Sequence, residues 1–177
     1  MNDDAVKKIE NSNEVVFKAG VVDIEDINLF LEVLDRHSGD GVVQAVDAGI
    51  VAGEEHLRHA TLKAINSWKT NPISQSLGME ILLYIVGERQ INKALEKAGV
   101  AEGSQEIVLV GIGEVGWSSL IEEIGLELDS SLINYNEDKL NKICKTFGIP
   151  DRELEAVGKM KTPYLVLERV TLLDTKK

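Results

Sequence analysis

The chain has 177 residues, 44% hydrophobic and 28% charged, which suits one folded domain and argues against a disordered or fibrous chain. Thirty acidic residues against nineteen basic ones leave a net charge of −11, which argues against coating nucleic acid or anionic membrane by bulk attraction. Any contact with a polyanion is therefore expected to be local.

Val15, Phe17, Ala19 and Val21 alternate in a β-prone run and predict a strand. Asp23 follows as a candidate N-cap, with Ile24, Ile27, Leu31 and Leu34 as the apolar stripe of a helix ending near Ser38-Gly39. Val42 to Val46 reads as a second strand, broken by Asp47-Ala48-Gly49. From Glu54 to about Lys69, the residues Leu57, Ala60, Ala64, Ile65 and Trp68 share one helical face, with His59 and Lys63 opposite. Asn71-Pro72 is a helix-start signal. Leu77 to Val86 is apolar nearly all round, the pattern of a helix buried in a core or covered by a partner.

After Gly87 a further helix is expected, with Ile91, Ala94, Leu95 and Ala98 inward, Gly99 as its stop, and Arg89, Lys93 and Lys97 outward at four-residue spacing. Ile107 to Val110 predicts a short apolar strand. Trp117 to Ile124, Glu137 to Phe147 and Asp151 to Val157 predict short helices, and Thr162-Pro163 caps a last one in which Val166, Val170 and Leu173 repeat. The fold class that follows is a single mixed α/β domain over residues 1–177: a small central sheet flanked by helices, with a helix-rich middle and C-terminus. Residues 1–13 are expected to be a flexible N-terminal extension.

The charge is uneven along this order. Residues 1–53 carry eleven acids and four bases, residues 54–97 five acids and six bases, and residues 98–177 fourteen acids and nine bases. Cys144 is the one cysteine, so no intrachain disulfide or cysteine-built metal site is possible, and a reducing, cytoplasmic setting is expected. Met1-Asn2-Asp3-Asp4 lacks the positive charge of a signal peptide, and no run of 18 apolar residues occurs, so neither targeting nor membrane contact is expected.

Gly111-Ile112-Gly113-Glu114-Val115-Gly116 matches the glycine pattern of a dinucleotide-binding turn between a strand and a helix. Against it stand the short following helix, the absence of a clear parallel strand and the negative charge of Glu114. The enzyme alternative, a small nucleotide-binding oxidoreductase using residues 111–116, rests on this string. His56 and His59 lie three apart rather than the four usual for a helical zinc pair, which favours ordinary surface histidines. Cys144, beside Ile143 and Phe147, is expected to be packed rather than reactive. The stripe Arg89, Lys93, Lys97 is either a solvated face, partly neutralised by Glu88 and Glu96, or a local phosphate contact that Lys63, Lys69 and Arg58 would extend.

Three stretches carry a family resemblance: QAVDAGIVAGEEHLRHATLKAINSW (Gln44 to Trp68), SLGMEILLYIVGERQINKALEKAGV (Ser76 to Val100) and LVLERVTLLD (Leu165 to Asp174). Together they resemble the kinase-binding subunit of the KEOPS complex, the PRPK-binding protein family, and its archaeal members most closely. The most specific element is Gly87-Glu88-Arg89-Gln90-Ile91. The resemblance implies a non-catalytic subunit without a cofactor. Such a subunit docks on the small atypical kinase of the complex, which in turn contacts the threonylcarbamoyl transferase. It further implies a role in recruiting tRNA by its single-stranded CCA tail, for threonylcarbamoylation of the adenosine next to the anticodon. Within the matched motif Arg89 is the expected phosphate ligand, at a helix start where backbone N–H groups favour anions. Gln90 is expected to read a base edge, with Lys93 and Lys63 as further RNA contacts. The kinase-docking face is expected on Leu165, Val166 and Val170, or on the apolar helix 77–86.

Overall fold

The structure is a computed structural model that describes residues 15–176; the extension expected over residues 1–13 lies outside them. In chain order the elements are β1 (Val15–Ile24), α1 (Ile27–Ser38), β2 (Val42–Asp47), α2 (Glu54–Thr70), α3 (Leu77–Val86), α4 (Ile91–Ala98), β3 (Gly103–Ile112), α5 (Trp117–Ile124), β4 (Glu127–Leu128), α6 (Leu140–Phe147), α7 (Asp151–Val157) and α8 (Thr162–Leu172). The sheet has the order β2-β3-β1-β4 and is antiparallel throughout. β1 and β3 pair over ten residues, from Val15 opposite Ile112 to Ile24 opposite Gly103.

Alternation along β3 divides the core. Val108, Val110 and Ile112 face a layer containing α2, α3, α4, α6 and α8, whereas Ile107 and Leu109 face α1 and α5. A strand covered on both faces has to be apolar at successive positions, which is why Ile107 to Val110 shows no polar alternation. The all-round apolar α3 is enclosed in the same way, with Ile81 to Val86 buried in the thicker layer. No helix among the described residues is long and apolar enough to cross a membrane.

Several local expectations give way to tertiary contacts. Ile24 ends the strand instead of starting the helix, because β1 stays paired with β3 as far as Gly103. The N-cap is Asp26, which accepts from the backbone N–H groups of Asn28 at 2.8 Å and Leu29 at 3.1 Å. The buried face of α1 is accordingly Phe30, Val33 and Leu34, leaving Leu31 47% exposed. Asn71 terminates α2, and Ser76 caps α3 by accepting from Met79 N at 3.2 Å. Between them residues 71–76 wrap around the carboxylate of Glu80, which is fully buried on α3. In α4 the small Ala94 and Ala98 face the core, while Ile91 and Leu95 stand 39% and 44% exposed. Alanines allow close approach to α3, and the bulkier pair is left at the rim. Thr162 is the first residue of α8, and its hydroxyl donates back to Lys159 O at 2.6 Å instead of accepting from the helix.

Candidate functional site

The strongest candidate site lies where α3 ends. Gly87 takes a left-handed conformation (φ 66°), so the chain turns while its N–H and that of Glu88 still reach Leu83 and Tyr84 carbonyls. Glu88 then organises the link to α4: its carboxylate accepts from Arg89 N at 2.9 Å, Gln90 N at 3.2 Å and Lys97 Nζ at 3.2 Å. Burial pushes the Glu88 carboxyl up, and the hydrogen bonds from Gln90, Lys97 and Arg89 outweigh it, holding the group below the usual carboxylate range. Those two backbone N–H groups are therefore occupied, and the expectation that they would serve an anion is corrected. What remains for a ligand is the Arg89 side chain.

Arg89 lines a cavity of about 400 Å³ together with Gln90, Lys97, Lys145, Thr146 and Arg169. Its Nη1 is shielded from solvent and has no hydrogen-bond partner among the described residues. The other cations differ. Lys97 is tied to Glu88, and Arg169 donates to Glu153 at 2.6 Å with Glu168 at 3.6 Å. Lys145, on α6, is exposed at the cavity. Four cations from α3–α4, α6 and α8 thus converge on one concavity of a chain whose net charge is −11. Lys145 and Arg169 were not among the expected binding residues. Their convergence depends on how α6 and α8 pack on α3, which spacing along the chain does not encode.

The remaining candidates separate. Lys93 is exposed on α4 and does not line this cavity. Lys63 donates to Asp174 at 2.7 Å, and Asp174 also accepts from the Tyr84 hydroxyl at 2.5 Å. Burial, with the Asp174 hydrogen bond, pushes that phenol up to about 12. Lys63 therefore fastens α2 to the segment after α8. Leu165, Val166 and Val170 are buried in the core, as is the apolar helix 77–86, so the expectation of a docking face on these residues is corrected. The large apolar residues that α8 and the turn before it expose are Met160, Tyr164 and, less so, Leu172, at 72%, 66% and 39% accessible.

The glycine string has a packing role. β3 is antiparallel to both neighbours, so residues 111–116 do not belong to the parallel crossover that a dinucleotide fold requires, and the oxidoreductase reading is overturned on that ground. A Cβ on Gly111 would lie 2.2 Å from Cζ2 of Trp117, whose indole occupies the space above the glycine. Gly111→Ala is expected to cost about 2 kcal/mol by overpacking. Adding Trp117→Leu should return part of that loss in urea unfolding. An unchanged midpoint for the single variant would contradict the contact.

His56 is not a surface residue: it is buried, with Nε2 2.8 Å from Ile85 O and Nδ1 accepting from Ala52 N–H at 3.2 Å. Both ring nitrogens are used, which leaves none for a metal. His59 points elsewhere, its Nε2 3.0 Å from Thr171 Oγ1.

The family model described as "Kinase binding protein CGI-121" matches residues 7–174. The chain is also 35% identical over 135 residues to the Regulatory protein Cgi121 of Methanocaldococcus jannaschii, an alignment that covers 76% of this chain and 84% of that protein.

Proposed function

The chain belongs to the CGI-121 family of kinase-binding proteins, and from that premise we propose that it is a non-catalytic regulatory subunit of the KEOPS complex. In this reading it binds the small atypical kinase, and through it the threonylcarbamoyl transferase. It also helps recruit tRNA by the CCA tail for threonylcarbamoylation next to the anticodon. The setting in this reading is cytoplasmic. For the kinase, the exposed Tyr164 and Met160 offer the aromatic and methionine contacts enriched at interface centres.

The observation that carries the tRNA role is the Arg89 Nη1 without a partner. A shielded guanidinium donor left unsatisfied costs about 1–3 kcal/mol, and a phosphate oxygen placed there recovers it through a charge-assisted bond. Gln90, exposed beside it, supplies both a donor and an acceptor for a base edge. A cavity of about 400 Å³ suits one or two nucleotides of a flexible tail, not a duplex. Lys145 lines the same cavity and Lys93 stands exposed on α4; Lys63 would have to leave its ion pair with Asp174 to contact RNA.

Labelled tRNA, with and without its CCA tail, would be titrated into the protein at low and moderate salt. Binding should require the tail and show a shallow salt slope, because few phosphates are neutralised. Arg89→Glu with Lys93→Glu should weaken tRNA binding by about tenfold or more while kinase binding persists. Binding indifferent to the tail would refute recruitment, and joint loss of both partners by a folded variant would refute two separate surfaces.

A further inference from the structure

The outer edge of β2 opens into a second, larger concavity. β2 is the end strand of the sheet, and its outward side makes no backbone hydrogen bond among the described residues. The carbonyl of Ala45 accepts the Gln44 side-chain amide at 2.9 Å. Since the N–H and C=O of one residue in an antiparallel strand point the same way, this marks Val43 and Ala45 as the outward pair. Edge strands are commonly guarded by lysine, proline or a bulge. The sequence Val42-Val43-Gln44-Ala45-Val46-Asp47 has neither lysine nor proline, and pairs with β3 residue for residue.

The space beside this edge is a groove of about 600 Å³. Leu31 and Asp35 of α1 wall it on one face of the sheet, and Trp68 of α2 with Leu77 of α3 wall it on the other. The slot thus lies in the plane of the sheet, between two helical layers, where a further strand would sit. Its charged lining residues are both aspartates, Asp35 and Asp40. A second copy of this chain would bring the same aspartates and a net charge of −11 against themselves, and a polyanion would be repelled.

We propose that this groove binds an extended, basic and apolar segment of a partner protein by strand addition to β2. Main-chain hydrogen bonds to Val43 and Ala45 supply the register, alternate apolar side chains enter the wall formed by Trp68 and Leu77, and the lysines or arginines between them face the other wall, where Asp35 lies. The site is separate from the Arg89 cavity and does not depend on the tRNA reading.

The probe is an acetylated and amidated seven-residue peptide of alternating lysine and valine, titrated into the full chain without tRNA or kinase. Saturable binding below about 1 mM is expected. N-methylation of alternate peptide amides, or glutamate in place of lysine, should weaken it by about tenfold. Val43→Pro removes an outward N–H at a position where an edge strand tolerates proline, and should have the same effect. Asp35→Lys, at an exposed residue, should weaken binding about fivefold or more without touching the fold. Four results would overturn the proposal: no saturable binding, equal binding of the N-methylated peptide, indifference of folded Val43→Pro and Asp35→Lys, or self-association of the unliganded chain that Val43→Pro abolishes.

Discussion

Glu80→Ala is expected to be among the most damaging single substitutions in this chain, lowering unfolding stability by about 4 kcal/mol. The carboxylate is fully buried on α3. It accepts from Ser67 Oγ at 2.7 Å, Ile73 N at 3.1 Å, Ser74 N at 2.9 Å and Ser74 Oγ at 2.8 Å. Truncation leaves those donors facing a cavity that lacks an acceptor, and each buried orphan costs about 1–3 kcal/mol. Glu80→Gln keeps the shape and one acceptor oxygen but turns an NH2 group toward donors, so about half the loss is expected. The measurement is urea unfolding with the m-value monitored: a shifted midpoint at constant m reports lost stability in the native state. A loss below about 1 kcal/mol for Glu80→Ala would contradict the clamp. Because residues 75–78 line the groove beside β2, the same substitution should also loosen that wall.

Acidification should destabilise the chain through His56, well above the range in which most carboxylates titrate. Burial is the main cause that lowers this imidazole from 6.5 to about 4. The hydrogen bond to Ile85 O opposes it, and the nearby His59 and Lys139 add to it. With Nδ1 accepting from Ala52 N–H, the neutral ring carries its proton on Nε2 and donates to Ile85 O. The native state therefore resists a proton that the unfolded chain takes up at its ordinary pKa. The unfolded chain binds more protons between about 4 and 6.5, so stability is whole above the upper value, falls as pH drops through the window, and levels below it. About 2 kcal/mol should be lost between pH 7 and pH 5, and about 3 kcal/mol across the whole window. His56→Gln removes the titration and should flatten the slope between pH 7 and 5, even if it lowers stability at neutral pH. Equal slopes for the two proteins would show that His56 does not titrate differently on folding.

Much of the fold was legible in sequence because local chemistry set it. The bounds of Trp117–Ile124 and Asp151–Val157 were read as they stand, and Gly99 was read as the stop of the helix that ends at Ala98; that helix starts at Ile91, so Arg89 lies in the link before it and not on its outer face. The apolar run at Leu77 to Val86 was read at its full length. Where the reading departed, a distant partner outweighed a local signal. Asn71-Pro72 looks like a helix start, yet Glu80 holds that segment as a loop. Asp23 looks like a cap, yet the pairing of β1 with β3 carries the strand past it. The apolar spacing of α4 suggested Ile91 and Leu95 as an inner pair, but the alanines are the residues that let the helix approach. β3 extends beyond its apolar centre because β1 provides ten residues of ladder, and β4 exists because two residues after α5 meet β1.

By itself the sequence determined the order of strands and helices apart from β4, the family resemblance and the place of Arg89 in its motif, since each depends on neighbouring residues along the chain. Tertiary structure alone decided that Arg89, Lys97, Lys145 and Arg169 share one cavity, that Leu165, Val166 and Val170 face inward, and that β2 is the end strand of the sheet among the described residues. Periodicity specifies which side of a helix or strand is apolar. Which other element covers that side is set by the competition of all elements for one buried core, and spacing along the chain does not encode its outcome.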